Sequence, residues 1–262
     1  MVGVNPGDFD AGLVLFLVAV FFAGGFLDSI SGGGGLLTIP ALLLTGLPAE
    51  VVMGTNKTAS LPGIFSALAA YVWGGFVDRD AALRGLPFAL LGGLVGSRAL
   101  LFFDSRAIGL ILVFMLPLGI AVTFFPKKES AQRREFGPRA LYLRTVLVCL
   151  VVGLYDGFFG PGSGSFYIMG FHFFLGMGLV QASATIKIFN LAASGSASFM
   201  FALHGHVWYL LALPLSLANI AGNLIGARMT MRIGPSFVRR VLGVSLLLLF
   251  GSLLWKVFSS GF

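Results

Sequence analysis

The stretch GLPAEVVMGTNKTASLPG, residues 46–63, aligns without a gap to GMGLVQASATIKIFNLAA, residues 176–193. The match sets Thr55 on Thr185 and Lys57 on Lys187. At the same offset GGLVGSR, residues 92–98, falls on GNLIGAR, residues 222–228. With a two-residue shift, DSISGGGG at 28–35 falls on DGFFGPGS at 156–163. Three landmarks that recur in one order mark an internal duplication.

Composition says in which solvent the duplicated unit folds. Hydrophobic residues make up 57% of the 262, charged residues 10%, and the mean hydropathy is +0.97. That balance belongs to a chain whose solvent is a bilayer. Apolar stretches recur along the whole length, and residues 1–10 carry Asp8 and Asp10 but no Lys or Arg. A cleaved signal peptide therefore does not account for them. The single cysteine, Cys149, lies in an apolar run and has no intrachain disulfide partner. The net charge of +7 is gathered in short loops between apolar runs, which is the pattern of membrane topology and argues against a nucleic-acid partner. The densest basic run, PKKESAQRREFGPRALYLR at 126–144, predicts a cytoplasmic loop.

A spanning helix needs about 20 apolar residues. Long spans are expected at 11–27, 51–73, 85–103, 106–125, 141–159, 182–203, 207–231 and 237–258, with two shorter pieces at 35–47 and 165–178. The fold class is thus an all-α polytopic bundle of about 8–10 transmembrane segments. It divides into a first repeat at 1–125, a basic linker at 126–140 and a second repeat at 141–262. If the short helices cross, each repeat holds an odd number of segments, the second copy is inverted, and the N-terminus lies outside. If they only dip in and return, eight spans remain and the N-terminus moves inside. Inverted repeats with broken helices are the architecture of secondary transporters.

The repeated features are polar, which a bilayer tolerates only where they function. Each glycine bend follows an aspartate and opens a short helix, whose first N–H groups and positive dipole end can face an anion. Gly33, Gly34 and Gly35 form the first bend; Gly162, Ser163, Gly164 and Ser165 form the second, with two hydroxyls added. Lys57 and Lys187 are intramembrane cations at matching positions, next to Thr55 and Asn56. Together these residues are the expected substrate site, and a small anion is the substrate that they suit. Asp28 and Asp156 are the only repeated acids. They are candidates for carrying a coupling proton, or salt-bridge partners of the lysines. The glycine stripes at 92–96 and 222–226 read as close helix packing, and such faces would equally serve a homodimer. His204 and His206 read as a solvated pair in an external turn, and His172 as either a cavity residue or a packed one. No cofactor or metal motif is present.

The pattern SGGGGLLTIPALLLTGLPAEVVMGTNKTAS, with GLYDGFFGPGSGSFY in the second half, resembles the TauE/SafE sulfite-exporter family of bacterial membrane transporters. The resemblance spans nearly the whole chain. It implies export of sulfite or small organosulfonates, such as sulfoacetate, across the bacterial inner membrane, driven by an electrochemical gradient and not by ATP. The family's glycine-rich segments fall on 32–35 and 160–164, and its Gly-Thr dipeptide falls on Gly54 and Thr55.

Two rival functions are separable. An intramembrane serine hydrolase would use Ser163 as nucleophile and His204 as base, but the duplication has no place in such an enzyme, and no convincing base is visible. A passive anion channel could use the same repeats and cations as a pore. The expectation is a non-enzymatic, proton-coupled exporter working by alternating access, with the lipid bilayer, protons and a small anion as partners.

Overall fold

The computed structural model describes residues 11–104, 106–108, 137–234 and 236–237. Most of the expected spans at 106–125 and 237–258, and of the basic linker at 126–140, lies outside the described residues. Among those described, eight helices of at least nine residues follow in order. They are α1 Ala11–Ser31, α2 Gly35–Leu43, α3 Ala49–Trp73, α4 Arg79–Leu100, α5 Pro138–Phe158, α6 Ser163–Leu175, α7 Leu179–Leu203 and α8 Tyr209–Ile233. The protein is all-α and spans the membrane several times. By length and composition α1, α5, α7 and α8 are apolar enough to cross. α3 and α4 are of crossing length, but carry Lys57 in one and Arg79, Asp80, Arg84 and Arg98 in the other.

The break after α1 follows from its sequence. Gly32 takes φ +73°, a left-handed conformation that side chains resist, and turns the chain before α2 begins. Gly160 and Gly162 do the same before α6, at φ +93° and +79°. After each bend the short helix doubles back along its predecessor. Gly34 lies against Gly24 and Asp28, while Thr38, one turn on, reaches down to Gly24. In the other half Tyr167 bonds the Cys149 carbonyl, and Gly170 packs on Val148.

The running directions of the longer helices show which way the short ones lead the chain. Along α8, Asn219 meets Gly25, Gly222 meets Phe22 and Phe26, and Gly226 meets Ser29, so α1 and α8 are parallel. Gly54 lies at His206, Gly63 at Asn219 and Gly74 at Met231, so α3 is parallel to both. A segment that only dipped and returned would leave α3 opposed to α1. α1 and α3 instead run the same way, so α2 carries the chain back between them.

The second helix set repeats this geometry with the partners exchanged. Gly85 packs on Cys149, Gly92 on Leu150 and Gly96 on Leu154, so α4 and α5 are parallel. Between the sets the sense reverses. Lys57 reaches Ser194 and Thr58 bonds Ser198, while Ala67 and Tyr71 further along α3 share a cluster with Ala184, earlier on α7. α3 and α7 are antiparallel, as inverted copies require.

Each set therefore borrows one helix from the other half: α8 joins α1 and α3, and α4 joins α5 and α7. The glycine stripes make these joints. A Cβ on Gly96 would sit 2.1 Å from the Leu154 carbonyl oxygen, and one on Gly222 would sit 2.0 Å from that of Phe22. Large apolar side chains such as Leu15, Phe65, Leu147 and Leu213 point outward, while serines, asparagines and both lysines are buried. A bilayer favours this distribution, since lipid accepts the apolar face and polar groups find partners only inside.

Candidate functional site: two crossed lysine–aspartate pairs

Asp28 stands in the last turn of α1, and Asp156 in the last turn of α5. Lys57 and Lys187 each stand in the third turn of α3 and α7, and both are buried. The antiparallel crossing of α3 and α7 sends each lysine to the aspartate of the opposite half. Lys57 Nζ donates to Asp156 Oδ1 at 2.6 Å, to the Asp156 carbonyl oxygen at 2.7 Å and to Ser194 Oγ at 3.3 Å. Lys187 Nζ donates to Asp28 Oδ2 at 3.1 Å and to the Asp28 carbonyl oxygen. Each ammonium thus lies at the carboxyl end of a broken helix, where the dipole is negative; the Asp28 carbonyl also accepts from the Gly32 amide at 2.8 Å.

The sequence suggests two cations at the positive ends of two short helices, with the aspartates as proton carriers or salt-bridge partners. The structure pairs both cations with those carboxylates, the salt-bridge alternative, and the four charges sum to zero. Gly160 makes room for this. A Cβ there would lie 2.7 Å from Lys57 Nζ, so a side chain would obstruct the ammonium.

The bends themselves meet at the centre. A Cβ on Gly32 would be 2.2 Å from Gly164 Cα, and one on Gly164 would be 2.3 Å from Gly32 Cα. Ser165 Oγ ties the same junction by donating to the Ser31 carbonyl at 2.9 Å. Beside this backbone contact lies a cavity of about 40 Å³. Of the residues expected in a substrate site, Gly34, Gly35, Asn56, Lys57 and Ser163 line it, as do the coupling candidates Asp28 and Asp156.

Others are placed elsewhere. Lys187 is fully buried behind Asp28 and does not border the cavity. Gly33, Gly162, Gly164 and Ser165 belong to the bends and their contact. Thr55 accepts a hydrogen bond from the Trp208 amide at 3.0 Å, and Thr185 accepts one from the Asp78 amide at 3.0 Å. The repeated threonines therefore fasten the starts of α8 and α4, each across the halves.

Ser60, Asn190, Ser194 and Asn219 also line the cavity and were not singled out from the sequence. Ser60 and Asn190 occupy matching positions three residues after each lysine, on the same helix face. That spacing was the available signal. His204 is exposed, bonds the Met200 carbonyl at 2.8 Å and stacks on His206. It lies outside the cavity that Ser163 borders, so the pair imagined for a hydrolase is not assembled. His172 Nδ1 is 2.7 Å from the Met177 carbonyl oxygen, a packed position away from the cavity. Among the described residues no cluster of His, Cys, Asp or Glu could hold a metal ion.

Comparison with known proteins agrees with this architecture. The chain is 34% identical over 238 residues to a probable membrane transporter protein of Haemophilus influenzae, covering 88% of this chain and 91% of that one. It is 32% identical over 230 residues to the probable membrane transporter protein ORF9 of a Sinorhizobium species, covering 88% of each. It is also 32% identical over 230 residues to the probable membrane transporter protein YfcA of Escherichia coli, covering 86% of this chain and 83% of that one. No solved structure matches. The profile of the sulfite exporter TauE/SafE family matches residues 16–253, and the chain belongs to that family of membrane transporters.

Proposed function

We propose that the protein is a secondary carrier that exports sulfite or a small organosulfonate across the bacterial inner membrane, by alternating access and coupled to protons. The observation that supports this reading most directly is the pair of crossed ion pairs, Lys57 with Asp156 and Lys187 with Asp28, at the central cavity. Lys57 is the anion's principal partner, aided by the Ser163 hydroxyl and the amide groups that begin α2. Protonation of Asp156 would release Lys57 to the anion, so proton and anion would occupy the site together. Asp28 plays the corresponding part for Lys187. The membership of a sulfite-exporter family motivates the substrate class, and the basic loop at 126–140 would face the cytoplasm.

Because both pairs join opposite halves, opening the cavity to either side would move the pairs in opposite senses. That is the exchange which inverted repeats permit. A passive channel would have no need of paired charges that close the path.

Uptake of labelled sulfite and sulfoacetate into proteoliposomes, with and without an imposed pH gradient, tests the proposal. A carrier gives protein-dependent flux that follows the gradient and supports counterflow. Rapid flux without counterflow would identify a channel. No flux of either anion under any gradient would remove the substrate assignment.

A further inference from the structure

Where the starts of α4, α5 and α7 meet the end of α6, a second cavity of about 460 Å³ opens. Asp78, Asp80 and Arg84 line it from the start of α4, Thr145 from α5 and Gln181 from α7. None of its residues borders the central cavity. The volume lies in the range of about 300–1,000 Å³ usual for small-ligand sites.

The repeat supplies a reference for this corner. Gly92 meets Leu150 as Gly222 meets Phe22, so α4 maps onto α8 and α5 onto α1 in the register of the sequence repeat. In that register Asp78 falls on Trp208, Arg84 on Pro214, Thr145 on Leu17, Met177 on Leu47 and Gln181 on Val51. Leu17, Leu47 and Val51 are at most 6% exposed and share one apolar cluster, against which Trp208 packs. The same corner is thus filled with apolar side chains in one half, and in the other is lined with polar ones around an open volume. Its folding does not require the polar set, which therefore calls for a ligand.

The side chains define the ligand's chemistry. Asp80 and Arg84 stand one turn apart on α4, a spacing at which opposite charges pair. Among the described residues, neither side chain has a hydrogen bond or an ion pair. Asp78 directs one carboxylate oxygen to the Ala81 amide at 3.0 Å. A bare anion would meet two carboxylates and one guanidinium, and a bare cation would leave the guanidinium without a partner. A zwitterion satisfies both. Its cation should be a primary ammonium, which donates hydrogen bonds to carboxylates, because a quaternary ammonium is held by aromatic faces and no described residue of the lining is aromatic. Its anion should be an oxyanion, which a guanidinium binds through paired N–H groups.

The location narrows the class further. The charged first turns of α4 mark a boundary between bilayer and water. Leu141, Leu175 and Met177 complete the lining with apolar surface. Tyr142, Phe173 and Phe174, adjoining them in sequence, are 43–56% exposed, as aromatic side chains at a lipid interface are.

We infer that this cavity binds the phosphoethanolamine head group of a membrane phospholipid, its ammonium on Asp80 and Asp78 and its phosphate on Arg84. The inference does not depend on which solute the central cavity carries.

Calorimetric titration of dihexanoyl phosphatidylethanolamine into the delipidated full chain in detergent is the test. Dihexanoyl phosphatidylcholine, dihexanoyl phosphatidylglycerol and free phosphoethanolamine are the comparisons. The expected result is saturable binding of the ethanolamine lipid, at least about tenfold tighter than of the other three. Asp80→Asn and Arg84→Gln should each weaken it by about tenfold or more. Asp80 is exposed and Arg84 half-buried, so both variants should keep the thermal transition of the unsubstituted chain. Thr145→Leu with Gln181→Val gives this corner the residues of its counterpart and should remove the binding.

Unchanged affinity in the Asp80 and Arg84 variants, or in the folded double variant, overturns the inference. Equal affinity for the three lipids, or no saturable binding of the ethanolamine lipid, does the same. Free phosphoethanolamine that binds as tightly as the lipid overturns the lipid source and makes a soluble zwitterion the ligand.

Discussion

The lysines look alike in the sequence, and the structure makes them different. Lys57 borders the cavity, whereas Lys187 is fully enclosed with Asp28 over it. Truncating one partner of a buried pair strands the other charge and costs about 3–5 kcal/mol, while removing both can be nearly neutral. Lys187→Ala should therefore lower the thermal unfolding temperature markedly, and Lys187→Ala with Asp28→Ala should recover most of the loss. Lys57→Ala with Asp156→Ala should likewise recover stability but not anion binding, if Lys57 donates to the substrate as proposed. Thermal unfolding and calorimetry on the three variants separate the two roles. Full recovery of binding in the Lys57 double variant would take that lysine out of the site.

Between elements, the decisive contacts are backbone to backbone. Gly222 lets α8 lie on the Phe22 carbonyl of α1, where a Cβ would be 2.0 Å from oxygen. Gly195, also helical, has only Leu61 Cδ2 at 3.8 Å in front of it. The same substitution should thus have opposite signs at the two places. Gly222→Ala forces α1 and α8 apart and should cost about 1–3 kcal/mol. Gly195→Ala meets ordinary contact and should gain up to about 1 kcal/mol from the better helix propensity of alanine. Thermal unfolding in one detergent measures both, and a loss at Gly195 as large as that at Gly222 would contradict the packing account. The glycine stripes were legible as packing surfaces because small residues at helical spacing do little else in a membrane. Which helix each stripe meets was not legible, since the spacing is the same whatever partner it receives.

At the scale of the molecule, two helix sets with exchanged members are joined across α3 and α7. Thr58 Oγ1 and Ser198 Oγ are 2.7 Å apart on that seam. Cysteines at both positions, in a Cys149→Ser background, place two sulfurs close enough to bridge. If the halves exchange conformations during transport, the oxidised Thr58→Cys, Ser198→Cys protein should lose proteoliposome flux and regain it on reduction. Unimpaired flux with the bridge formed would mean that this seam does not move during the cycle.

Much of this protein was determined by the sequence alone. Hydropathy fixed an all-α membrane chain, the repeated landmarks fixed a duplication, and glycines flanked by aspartate fixed where helices break, because each depends on residues near in sequence or on composition. The lysines and aspartates were also marked out, since a charge in an apolar run has few reasons to persist. Only the tertiary structure decided that α2 and α6 return the chain, that each lysine takes the aspartate of the other half, and that Thr55 and Thr185 anchor helix starts. It also brought Asn56 and Asn190 to one cavity. These outcomes depend on which helices lie side by side and in which sense they run, and a hydropathy pattern is unchanged when a helix is turned end for end.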